Sequence, residues 1–83
     1  MAKGSMTAPG PLTAAIAEIL RDAFLELFIS QARFGEMLGG MPQSTVSIYL
    51  RGEHVMDMEL FLKTCRVLKL DPLDVFSTAL RRI

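Results

Sequence analysis

Apolar positions recur along this chain at helical spacing, and no stretch reads as a strand. Ile16, Ile19, Leu20, Ala23, Phe24, Leu27 and Phe28 share one face of a first helix, opened by Pro11-Leu12-Thr13 with Thr13 as its cap. Leu25 and Ile29 widen that stripe beyond one core face. Ser30 interrupts the pattern and caps a second helix over about 31–38, which Gly39 and Gly40 end. Met41-Pro42 restarts the chain, because the fixed φ of proline suits a first helical turn. A third helix follows over about 43–50, ended by Gly52. Asp57 caps a fourth, about 58–70, with Leu60, Phe61, Thr64, Cys65 and Leu68 facing inward. Asp71-Pro72 opens a fifth, which carries Leu73, Val75, Phe76, Ala79, Leu80 and Ile83. The pattern predicts an all-α, compact five-helix domain over 12–83, preceded by a flexible tail over 1–11 rich in Gly, Pro and Ser.

The break at 39–42 has a purpose in this scheme. Two helices joined by a few residues, with glycine in the turn, form a helix-turn-helix, here about 31–50. Gly39 can take the left-handed conformation a sharp turn needs. Gly35, inside the second helix, costs about 1 kcal/mol against alanine, which close approach of the third helix would offset. On the third helix Val46, Tyr49 and Leu50 share a core-like face. Ser44, Ser47, Ile48 and Arg51 share the other, with Gln43 at its leading edge. That outer face is short, polar and uncharged until its end. Small groups allow close approach to a DNA major groove, amides and hydroxyls read base edges, and an apolar tip can touch a thymine methyl. A solvated face, by contrast, favours long charged side chains.

Composition refines the reading. With 83 residues the chain forms one domain with a modest core, and 51% hydrophobic content is high for so small an object. The excess points to a partner surface, most simply a second copy. Net charge is zero, which removes a global basic footprint and leaves room only for a local one. Cys65 is the single cysteine, which excludes an internal disulfide and fits a reducing cytoplasm. No signal peptide is visible, and K-G-S-M reads as a remnant of cloning ahead of Met6. The apolar run over 14–29 is broken by Glu18, Arg21, Asp22 and Glu26, so no membrane span is expected.

Taken together, Gln31, Phe34-Gly35, Leu38-Gly39, Gln43-Ser44-Thr45-Val46-Ser47 and Arg51-Gly52 resemble the helix-turn-helix of the phage repressor and Cro family, the XRE family of transcriptional regulators. F-L-K-T-C-R-V-L-K-L-D-P-L-D-V-F resembles that family's fourth helix, turn and fifth-helix opening. The resemblance spans about 12–77 and implies a five-helix, lambda-repressor-like DNA-binding domain acting as a dimer on dyad-symmetric operators. By position it implies base contacts from Gln43 and Ser44, with Ser47 and Ile48 deeper in the groove. It places Gln31, Thr45 and Arg51 on phosphates, and His54 in the following loop is within reach of one.

Three departures from the family pattern stand out. The turn is one residue longer, through Gly39-Gly40-Met41. An apolar Phe24–Leu50 contact replaces the ion pair that many relatives bury. The loop after the third helix, often basic, reads Glu53-His54-Val55-Met56, which weakens phosphate contacts.

The remaining singular residues read as structural. His54 and Cys65 have no partners at metal-ligand spacing, so neither a metal nor a cofactor is expected. Cys65 takes a small core position, while Met37, Met58 and Met41 read as core filler. Arg81-Arg82 suits a helix C-terminus through the dipole. No acid–base pair, activated nucleophile or phosphate loop supports an enzyme, and no small-molecule ligand is evident.

The expected function is sequence-specific binding of double-stranded DNA by a cytoplasmic, nucleoid-associated homodimer that represses transcription. Leu73, Phe76, Leu80 and Ile83 of the fifth helix form the expected dimer stripe; an intramolecular core is the competing role for them. The alternative is a protein-interaction module of the same shape, such as an antirepressor or antitoxin-like partner. A third reading is a purely structural oligomerisation bundle.

Overall fold

The computed structural model describes residues 8–83. They form five helices and, among the described residues, no strand: α1 Pro11–Leu25, α2 Gln31–Met37, α3 Gln43–Leu50, α4 Met58–Val67 and α5 Pro72–Arg81. The expected flexible tail lies outside the described residues up to position 7 and meets the fold earlier than expected, because Pro11 is already helical. Gly10 is the N-cap of α1 and Pro11 its first residue, so Thr13 sits inside the first turn and caps nothing.

α1 packs most extensively against α5, α2 against α3, and α3 in turn against α1. The core gathers Leu20, Phe24, Phe34, Leu38, Val46, Leu50, Cys65, Leu68 and Val75. Phe24 and Phe34 meet as a tilted pair with ring centroids 4.9 Å apart, joining α1 to α2. Phe24 and Leu50 share this core, as the sequence suggests. Among the described residues Thr64 is the one buried polar side chain, and its Oγ1 donates to the Leu60 carbonyl at 2.7 Å.

Helix starts follow their caps. Ser30 Oγ accepts from the Arg33 N–H at 3.0 Å, Asp57 Oδ1 from Leu60 at 2.8 Å and Asp71 Oδ1 from Leu73 at 2.9 Å. Pro42 occupies the N-cap of α3 rather than its first turn. Its carbonyl accepts from Thr45 and Val46, both at 3.0 Å.

Helix ends depart more from expectation. α1 stops at Leu25, and Phe28 turns left-handed (φ 56°), so Leu27 and Phe28 are exposed rather than part of the core stripe. α4 stops at Val67, where Lys69 turns left-handed (φ 59°). Leu70 N–H then bonds back to the Cys65 carbonyl at 2.8 Å and Lys69 N–H to that of Arg66 at 3.1 Å, closing the helix. Two of the expected core methionines lie outside it. Met58 starts α4 and is 85% exposed, and Met37 is exposed on α2; Met41 does pack on the core from the α2–α3 turn.

Candidate functional site

Four contacts seat α3. Its inner edge is held by Val46 and Leu50, both buried. Its entry is fixed by the turn from α2: Gly39 takes φ 96°, and the Gly35 carbonyl accepts from Gly40 at 3.0 Å and Met41 at 2.9 Å. A side chain at Gly35 would overlap the Met41 carbonyl oxygen and press Val46 Cγ2 at 3.2 Å. Gly35 therefore admits the turn backbone first and α3 second. The exit of α3 is a second such cap, with Gly52 at φ 74°, Gly52 N–H bonding to Tyr49 O and Glu53 N–H to Ile48 O, both at 3.0 Å. A Cβ on Gly52 would stand 3.3 Å from Ala17 Cβ, so this turn rests on α1.

Arg21 of α1 completes the seat. Its Nη1 donates to the Leu50 carbonyl at 2.8 Å, at the negative end of α3. The sequence offers an arginine on α1 but no spacing that marks it as the cap of a helix many residues later.

The outer edge of α3 brings the expected contact residues together. Gln43 and Ser44 are exposed at its leading end; Thr45, Ser47 and Ile48 are half-buried; Arg51 is exposed at its C-cap. Among the described residues, Gln43 and Ser44 make no side-chain hydrogen bond. Gln31 is the first residue of α2 and is half-buried. Lys63 of α4 reaches the α2–α3 turn, with its Nζ 3.4 Å from where a Gly39 Cβ would lie. No sequence spacing marks this cation beside the entry of α3, since Lys63 follows Gln43 by twenty residues.

Arg51 is not free. Its Nε donates to Glu53 Oε2 at 2.8 Å and its Nη2 to Oε1 at 3.2 Å, while Nη1 donates to Ser47 Oγ. The pair holds the guanidinium's pKa above its ordinary value and the Glu53 carboxyl below its own, through hydrogen bonding in each case first. His54 turns the other way. Its ring stands edge-on to Tyr49 at 5.9 Å and its Nδ1 lies 3.0 Å from the Glu53 carbonyl oxygen.

His54 and Tyr49 line a separate feature, an apolar groove of about 360 Å³ between α1, the start of α4 and the start of α5. Leu12, Ile16, Leu20, Met58, Phe61, Leu73 and Phe76 are among the residues that line it. Among the described residues no Asp, Glu, Lys or Arg lines it. Leu73 (77% exposed), Phe76, Leu80 and Ile83 all face outward, whereas Val75 and Ala79 are the buried residues of α5. The stripe is therefore not intramolecular core. Ile83 lies beyond the last turn of α5.

Arg81 and Arg82 are both engaged, Arg81 Nη1 with Ser77 Oγ at 3.0 Å and Arg82 Nη1 with Glu18 at 3.2 Å. Among the described residues no group of three His, Cys, Asp or Glu could hold a metal ion, and no helix is long and apolar enough to cross a membrane. Comparison with protein-family models, with curated proteins and with solved structures finds no match for this chain.

Proposed function

We propose that this protein binds double-stranded DNA sequence-specifically, as a homodimer, and represses transcription by occupying a dyad-symmetric operator. The observation that carries this reading is the outer edge of α3. Gln43 and Ser44 stand exposed, with no side-chain hydrogen bond among the described residues, on a helix seated by Val46, Leu50 and the Arg21 cap. In this role α3 enters the major groove. Gln43 and Ser44 read base edges, and Ser47 and Ile48 lie deeper. Gln31, Thr45 and Arg51 set the register on phosphates, joined by Lys63 beside the turn. His54, which lines the groove, adds a phosphate contact from the loop after α3.

The outward stripe Leu73, Phe76, Leu80 and Ile83 supplies the dimer face, continuous with the apolar groove through Leu73 and Phe76. A dyad-symmetric operator presents its half-sites about 34 Å apart, one helical turn of DNA, and two-fold pairing through this face would supply the second copy of α3. This activity needs no cofactor and no catalysis, and it belongs in the cytoplasm with the nucleoid.

A second reading is a protein-interaction module of the same shape. The uncharged groove and the zero net charge favour it. Salt separates the two. Binding of labelled duplex DNA followed by anisotropy should weaken by about 0.9 log units per log unit of salt for each phosphate contact. A flat salt response, or no binding at low ionic strength, favours the interaction module.

A further inference from the structure

The end of α3 is a closed cap whose geometry fixes two opposite charges side by side. Arg51 is the C-cap, Gly52 the left-handed residue after it, and Glu53 the residue whose N–H bonds back to Ile48. The last of these positions commonly holds an apolar residue that rests on the helix. Here it holds a carboxylate. The cap fixes the backbone of both residues, while their side chains remain about half exposed.

The carboxylate meets Arg51 along one edge of the guanidinium, through Nε and Nη2 at 2.8 and 3.2 Å. Two parallel N–H···O bonds of this kind are also how arginine takes a phosphate. The remaining nitrogen, Nη1, donates to the hydroxyl of Ser47, a residue of the outer edge.

We infer that Glu53 is an internal stand-in for a DNA phosphate: it occupies Arg51 in the free protein, and through Arg51 it holds Ser47, so that DNA binding exchanges the carboxylate for a backbone phosphate. This inference rests on the DNA-binding reading of α3. The exchange trades one bidentate anion contact for another, so Arg51 adds little net affinity while Glu53 is present. It also leaves the released carboxylate close to the DNA backbone. Duplexes that place no phosphate in the Arg51 seat gain nothing to displace Glu53, so the contact lowers indiscriminate binding more than well-registered binding.

The test uses the full chain and a labelled mixed-sequence duplex, with anisotropy titrations over a range of salt. Four proteins are compared: wild type, Glu53→Gln, Arg51→Ala and the double variant. Both positions are exposed, so all four should fold. Glu53→Gln should tighten binding by about two- to fivefold, the range of a surface ion pair. It should also steepen the salt slope by about one phosphate contact. The gain from Glu53→Gln should shrink by at least half in the Arg51→Ala background, where only the repulsion between carboxylate and DNA is left to relieve. An equal gain in both backgrounds would show a general charge effect and overturn the inference, as would binding that is indifferent to Glu53→Gln. Absence of binding by all four at low salt would instead remove the DNA-binding reading itself.

Discussion

At Gly35 a hydrogen atom is all that separates α2 from the Met41 carbonyl oxygen. Alanine is the better helix former by about 1 kcal/mol, yet the methyl group has to displace backbone that is itself bonded to the Gly35 carbonyl. Gly35→Ala should therefore destabilise the fold by about 1–3 kcal/mol, read as a lower urea midpoint. Cys65 gives a residue-scale prediction in pH. The thiol is buried, and burial together with the charge of Asp71 pushes it up to about 11. A thiol raised in the folded state favours folding below its unfolded value, and that contribution is lost as pH rises through the folded one. The wild-type urea midpoint should fall between about pH 8.5 and the folded value, by more than that of Cys65→Ala over the same range. Equal slopes would contradict the burial. The residue scale is also where the sequence reads least well: Met58 and Cys65 are both soft and apolar, but one is at a helix N-terminus in water and the other in the core.

Among the elements, starts were more legible than ends. Ser30, Asp57 and Asp71 announce their helices chemically, because a side-chain oxygen near free N–H groups is a local event. Ends marked by glycine, at Gly39 and Gly52, were equally readable. The end of α4 was missed because the left-handed position is taken by Lys69, which carries no such signal. A non-glycine residue there costs about 1–2 kcal/mol. Lys69→Gly should recover about 1 kcal/mol of stability, measured as a higher urea midpoint; a lower one would show that the Lys69 side chain does more than hold the turn. Thr13 failed as a cap for a related reason. Proline can itself begin a helix, so α1 starts earlier, at Pro11. Arg21 was invisible for another: its bond to Leu50 spans 29 residues and exists only once α1 and α3 have packed. Arg21→Ala should cost about 1–2 kcal/mol and speed amide exchange at the end of α3, since the Leu50 carbonyl loses its donor. Unchanged exchange there would mean that the cap does not hold the helix.

For the whole molecule, the five-helix architecture was legible because helical periodicity and caps agree along the chain. The outer edge of α3 was legible too, since Gln43, Ser44 and Ser47, with Arg51 at the C-cap, belong to one short helix whose faces follow from spacing. What lay beyond reach was everything set by distant packing: Lys63 beside the α2–α3 turn, His54 turned toward the groove, and the groove itself. The outward α5 stripe gives a prediction at this scale. Leu80→Glu should leave the helical content intact, because Leu80 is not in the core, and should shift sedimentation toward the monomer. Affinity for a dyad site should fall with it, because two linked half-sites bind as one. A variant that stays dimeric would move the interface away from this stripe.

The central claim is that α3 reads bases. Its most direct test is selection of bound duplexes from a random pool with wild type, Gln43→Ala and Ser44→Ala. The account predicts a palindromic motif with half-site centres about one helical turn apart, and relaxed preference at particular base pairs in each variant. Failure of the folded protein to enrich any motif at low salt would contradict it, as would a motif that neither substitution alters.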